Sequence, residues 1–106
     1  MDLARKSIEL VIIIRGCENY RHAKRINHGH IGLVLVREPS KHDDDAIRVV
    51  DGDNQTVGFV DARHAKRIAP LLDSFLFECF SVCNVRVMNS YHMSASIHLR
   101  PLLCAM

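Results

Sequence analysis

Val36-Arg37-Glu38-Pro39-Ser40-Lys41-His42-Asp43-Asp44-Asp45-Ala46-Ile47-Arg48-Val49-Val50 places a polar hinge between two apolar runs. Before it, Ile31, Leu33 and Leu35 recur at period two, and after it Ile47 and Val49 do the same. Both flanks therefore read as strands and the middle as their connection. Pro39 cannot donate to a sheet ladder and ends the first of them. The hinge holds three successive carboxylates, Asp43, Asp44 and Asp45. Like charges this close repel, so such a run either stays in water or offers acceptor-only oxygens to a ligand.

Working outward, the strand before the hinge is expected over about Ile31 to Arg37 and the one after it over Ala46 to Val50. Asp51-Gly52-Asp53-Asn54 has turn chemistry, because Gly and Asn tolerate positive φ, so Gln55 to Val60 pairs back as a further strand. Asp61 is placed to cap a helix over Arg63 to Asp73, with Ala65, Ile68, Ala69 and Leu72 on one face and Pro70 kinking it or ending its regular part. From Phe75 to Met88 the odd positions Phe75, Phe77, Cys79, Cys83, Val85 and Val87 predict one apolar face of a long fifth strand, interrupted only by Ser81. Asn89-Ser90 is a turn, and Ala95, Ile97 and Leu99 alternate with Ser94, Ser96 and His98 in a sixth strand.

Toward the N-terminus, Met1 to Lys6 reads as a frayed lead-in and Ser7 to Ile14, rich in branched residues, as the first strand. Glu18 to Ile26 lacks β-branched residues until its end and predicts a short helix stopped at Asn27-His28-Gly29. Six short strands with two small helices suit a closed or nearly closed β-barrel, mainly β in class, which leaves few exposed edges.

At 106 residues the chain is one domain, and 48% hydrophobic against 25% charged residues predicts folding rather than disorder. A formal charge of +2 is too small to argue for nucleic acid by itself. Its distribution says more, since Arg15, Arg21, Lys24 and Arg25 face only Glu18 in the stretch from Arg15 to His30. Cys17, Cys79, Cys83 and Cys104 come without a signal peptide and read as reduced thiols of an intracellular protein, nuclear if eukaryotic. No apolar run approaches the roughly 20 residues that cross a bilayer, which argues against a membrane partner.

The hexapeptide Arg-His-Ala-Lys-Arg-Ile occurs twice, at 21–26 and 63–68, with unrelated flanks. Each copy puts its Arg, Lys and Arg at i, i+3 and i+4 of a helix. Such a stripe is either a solvated basic face or a set of phosphate contacts, involving Arg21, Lys24 and Arg25 in one copy and Lys66 in the other.

Catalytic chemistry finds little support. Adjacent aspartates on one loop cannot by themselves converge on two metal ions, and no distant acidic motif completes such a site. Cys79-x₃-Cys83 lies in a strand pattern among aromatics without a second pair, which reads as small buried hydrophobes rather than zinc ligands. There is no Gly-rich phosphate loop and no Ser-His-Asp pattern, so the chain is expected to be no enzyme and to hold no cofactor or metal.

In order and spacing, Arg37-Glu38-Pro39, the Ser40 to Ile47 loop and Val57-Gly58-Phe59-Val60 resemble the hallmarks of the HIRAN domain, and the resemblance covers about residues 8 to 100. Lys41 stands where the family has a loop proline, and Asp45 where it has asparagine. The resemblance implies a six-stranded OB-like barrel that binds single-stranded DNA at a 3′-hydroxyl end and has no catalysis of its own. Carried over by position, Asp43 is the acceptor of the terminal hydroxyl, His42 the aromatic before it, and Phe59 and Tyr91 are stacking rings. The family's Arg-Tyr-Tyr platform is here Arg15-Gly16-Cys17, which keeps a phosphate contact at Arg15 and leaves Tyr20 to supply a ring. Physically, an ionised carboxylate requires a donor and repels phosphate, so it separates a free end from a continuing strand. The resemblance also implies work beside a helicase, ubiquitin ligase or nuclease, in cis or in trans. The alternative is a protein-interaction barrel that has lost DNA binding, which the missing platform rings and small net charge allow.

Overall fold

The computed structural model describes residues 7–102; the lead-in Met1 to Lys6 and Cys104 lie outside the described residues. The strands are β1 (Ile8–Arg15), β2 (Val34–Arg37), β3 (Ile47–Val50), β4 (Thr56–Val60), β5 (Phe77–Val87) and β6 (Met93–Pro101), with one α-helix, α1 (Ala62–Asp73), between β4 and β5. They form one antiparallel sheet in the order β2-β3-β4-β1-β6-β5. The sheet curls until its edge strands β2 and β5 come into contact, giving a half-barrel of OB-like type.

Branched residues supply the core. Ile12 and Ile14 of β1, Ile47 and Val49 of β3, and Ile97 and Leu99 of β6 are fully enclosed, and α1 covers the interior with Ala65, Ile68 and Ala69. The helical periodicity expected for α1 is present, and the helix runs on through Pro70 to Asp73. The 51–54 turn also forms as its chemistry dictates: Asn54 takes φ 62°, and Asp51 Oδ1 accepts from the backbone N–H groups of Asp53 and Gln55.

Four expectations are corrected. The helix over Glu18 to Ile26 is instead two 3₁₀ turns, Cys17–Asn19 and Arg21–Arg25, separated by an extended Tyr20. With three residues per turn, Arg21 and Lys24 share a side and Arg25 turns away, so the three-cation stripe exists only in α1. The ladder of β2 starts at Val34 rather than Ile31, because Gly32 takes φ 90° and leaves Ile31 81% exposed. The fifth strand starts at Phe77, since Phe75 lies in the preceding turn at φ 59° and is 81% exposed rather than packed. Its single apolar face does not exist either: register shifts between Cys79 and Ser81 and between Cys83 and Arg86, the second with Asn84 at φ 52°, reset the alternation. Val82 and Val85 are therefore buried and Val87 is exposed.

The repeated hexapeptide packs alike in its two helix types. Its isoleucines, Ile26 and Ile68, are buried, and its histidines direct Nδ1 at an aspartate on a strand end: His22 at Asp51 Oδ2 (3.3 Å) and His64 at Asp61 Oδ2 (3.5 Å).

Candidate nucleic-acid interface

β1 and β4 pair through only two register partners, Ile14 with Val60 and Arg15 with Phe59. Arg48 of β3 is the other cross-strand partner of Phe59. Directly opposite residues share a face, so the Phe59 ring stands between two guanidinium-bearing side chains. The close approach here requires glycine at the next position: a Cβ on Gly58 would stand 2.7 Å from the Arg15 carbonyl oxygen and 2.7 Å from Ile14 Cγ2.

After Arg15 the chain reverses through Gly16 at φ 76° and presents Tyr20 with its ring centroid 6.3 Å from that of Phe59. Tyr91 comes from the β5–β6 turn. Asn89 Oδ1 accepts from the N–H groups of Tyr91 (2.8 Å) and His92 (2.9 Å), and the Cys17 N–H donates to the Tyr91 carbonyl (3.2 Å), which fastens this turn to the end of β1. Arg15, Tyr20, Phe59 and Tyr91 line one open cleft of about 350 Å³. Four residues expected to bind DNA, far apart in sequence, are thus brought together.

Asp61, Asn19, Glu18 and His92 also line the cleft and were not among the expected site residues. Asp61 is the informative omission. Its sequence position reads as a helix cap, and it does occupy the N-cap of α1, but its side chain makes no capping hydrogen bond. Oδ1 instead accepts from Arg15 Nη1 at 3.2 Å, holding the guanidinium at the cleft wall. Nothing in local sequence signals that diversion, since Arg15 is brought close only by the sheet.

His42 and Asp43 do not line the cleft. They sit in the β2–β3 loop, which leaves the sheet at the Arg37–Ile47 pair, one rung from the row that holds Arg48 and Phe59. His42 is exposed. Asp43 is half-buried and partly committed, because its Oδ1 accepts from the Asp45 N–H at 2.9 Å and closes the turn. Arg37 fixes the whole loop: Nε and Nη2 donate to the two carboxylate oxygens of Asp73 (both 2.8 Å), and Nη1 and Nη2 donate to the carbonyls of Ala46 and Asp44 (both 2.8 Å). That pairing raises the Arg37 pKa and lowers that of Asp73, the mutual hydrogen bond being the largest cause of each. Of the other cations, Lys24 lines a neighbouring cavity, while Arg21, Arg25 and Lys66 are exposed and outside the cleft.

Among the described residues no three His, Cys, Asp or Glu side chains gather as a metal site, and no helix is long and apolar enough to cross a membrane.

A curled OB-like sheet with an aromatic and basic cleft where β1, β4 and the β5–β6 turn meet defines a class of small binding domains. The chain belongs to the HIRAN family, whose domain model matches residues 9–100, and HIRAN domains are DNA-binding modules. Among solved structures it is similar to the HIRAN domain of human HLTF, with a TM-score of 0.75 and 21% identity over 88% of this chain and 78% of that one. It is also similar to a structural-genomics protein from Lactobacillus plantarum, with a TM-score of 0.71 and 17% identity over 90% of this chain and 97% of that one. At these identities the likeness is one of fold. No curated protein sequence gives a significant match.

Proposed function

We propose that the chain is a non-catalytic module that binds single-stranded DNA at its 3′-hydroxyl end. The observation that carries this reading is the gathering of Arg15, Tyr20, Phe59 and Tyr91 on one cleft. Tyr91 is 54% exposed, so its ring is free to receive a base, and each base stacked on an aromatic contributes about 1–3 kcal/mol without reading sequence. Arg15 keeps donors beyond the one given to Asp61 and serves a backbone phosphate. Asp43, by its match to the family's end-recognising aspartate, accepts the terminal hydroxyl through the oxygen not used by Asp45, and His42 flanks the last sugar or base. In this role the domain delivers DNA ends to a helicase, ubiquitin ligase or nuclease.

A protein-interaction role is the second reading, favoured by Phe75 and Leu76, 81% and 62% exposed, beside Leu102 at 40%. The Leu102 N–H donates to the Leu76 carbonyl at 2.7 Å, so this apolar corner is held in shape. Titration with short oligonucleotides ending in a 3′-hydroxyl or a 3′-phosphate separates the two. Tighter binding of the hydroxyl end supports end recognition, equal binding reduces the role to single-strand binding, and no binding by folded protein favours the protein partner.

A further inference from the structure

Behind Tyr91 lies a second cavity, of about 370 Å³. Tyr91 and Glu18 line both it and the cleft, so the two adjoin at these residues. Cys17, Ile26 and Met93, all buried, give it an apolar floor. The volume falls within the range of small-molecule sites. An anion is a poor occupant, because the floor offers no hydrogen bonds and Glu18 adds a negative charge.

The polar groups at its rim are few and differ in kind. Asn89 Oδ1 is held by the Tyr91 and His92 N–H groups, which leaves Nδ2 as the free donor, without a partner among the described residues. The Glu18 carboxylate likewise has no hydrogen-bond or ion-pair partner among the described residues, and its charge contributes, after burial, to the raised Cys17 thiol pKa. Lys24 stands at the same rim, as a cation for the linking phosphate. An apolar floor, one donor and one anionic acceptor suit the face and edge of a heteroaromatic ring that carries both an acceptor and an amino group.

We infer that this cavity is a second nucleobase subsite, which takes the base adjacent to the one stacked in the cleft and prefers a base with an exocyclic amino group over thymine. The inference rests on the cleft being a single-strand site. Glu18 accepts from the amino group, and Asn89 Nδ2 donates to a ring nitrogen or carbonyl. Thymine's one edge donor, N3–H, is flanked on both sides by carbonyl oxygens, which the carboxylate repels.

The test uses the 106-residue chain with d(CC), d(TT) and d(CC) analogues in which one base, at each position in turn, is replaced by an abasic sugar. Affinity is read with the methyl resonances of Met93 and Ala23, which line the cavity. We expect one abasic analogue to silence both methyl shifts and to bind roughly tenfold more weakly than d(CC), the effect of one lost stacked base. Glu18→Gln should narrow the preference for d(CC) over d(TT). Asn89→Asp keeps the oxygen that accepts from Tyr91 and His92, removes the donor, and should weaken d(CC). If both methyls stay silent while Phe59 and Tyr91 resonances respond, the subsite is wrong and the cleft reading stands. If no oligonucleotide perturbs the folded protein, both fall.

Discussion

Gly58→Ala is the sharpest perturbation of the scaffold beneath the cleft. The added Cβ would meet a backbone oxygen, that of Arg15, at 2.7 Å, as well as Ile14 Cγ2 at 2.7 Å and Cys17 Sγ at 3.3 Å. Ordinary C···O and C···C contacts begin near 3.3–3.5 Å, so β4 has to move off β1 by roughly 0.6–0.8 Å. A flexible side-chain tip could swing aside, but a strand carbonyl cannot do so alone. Only two register pairs join these strands, and one of them is Arg15 with Phe59, so the shift falls on the residues of the cleft. Overpacking of this kind costs about 1–3 kcal/mol, a fall in Tm of roughly 5–20 °C for a domain of this size. Thermal and urea unfolding measure it, and oligonucleotide affinity should fall about tenfold or more, because a displacement of this size disturbs stacking and phosphate contacts together. Gly52→Ala is the control, since a Cβ there meets nothing within 4 Å and φ is not positive; it should be neutral or stabilising by up to about 1 kcal/mol. If G58A unfolds within 2 °C of the unaltered chain, by about the precision of such scans, the close-approach argument is wrong.

Arg37→Lys keeps the charge but not the fork that reaches Asp73 and two loop carbonyls together, so it should lower the denaturation midpoint and loosen protease protection of residues 38–46. Because Arg37 lowers the Asp73 pKa, their pairing contributes stability above the ordinary value of 3.8 that is lost as pH falls through the folded one, and Arg37→Lys should flatten that acid limb. Burial pushes the Cys17 thiol up to about 11 from 9.0, so native protein at pH 8 should resist alkylation there; stability should decline as pH rises from about 9 to about 11, less so in Cys17→Ala. Asp43→Asn retains an oxygen for the Asp45 N–H while removing the charge, and should weaken 3′-hydroxyl ends by about 1.5–3 kcal/mol and narrow the gap to phosphorylated ends. Asp44→Asn is its control, and an effect there instead would move the end-reading role by one residue. Alanine at Arg15, Arg21, Lys24 and Arg25 together should weaken binding and flatten its salt dependence without changing end preference, which competition between the two kinds of end would reveal.

What the sequence made legible follows from the range of each interaction. Strands β1 and β6 bury alternate residues through the core, β3 and β4 are bounded by the hinge and the 51–54 turn despite the register shift between Val49 and Val50, and α1 carries its periodic face, so local pattern locates them. Strand β5 misleads because its two register shifts are set by pairing with β6, and parity counted along one strand has no access to them. The first expected helix fails for a related reason: its residues favour helix, yet Tyr20 is drawn extended to cover Phe59, and tertiary packing overrides propensity. Phe75 reads as apolar core, but the chain takes positive φ there to enter β5 and turns the ring outward.

The family hallmarks turn out to specify scaffold more than ligand. Arg37 ties the hinge to the end of α1, Gly58 permits β4 to lie against β1, and Val57 and Val60 fill the core. A chain can keep all of these for packing alone. The cleft rings depend on other positions. Tyr20 covers Phe59 from the segment that follows Gly16-Cys17, and Tyr91 arrives on a turn held by Asn89. The cleft therefore has aromatic rings although Gly16 and Cys17 carry none: Tyr20 comes from between the two 3₁₀ turns, Phe59 from β4 and Tyr91 from the β5–β6 turn. Cys17 is buried with its N–H on the Tyr91 carbonyl, a main-chain bond that any residue except proline could make there, so the anchor of Tyr91 does not depend on the side chain at this position. Of the three cleft rings only Tyr91 is exposed, so in the proposed role Tyr91→Ala should weaken oligonucleotide binding more than Tyr20→Ala does, and equal losses would refute that ranking.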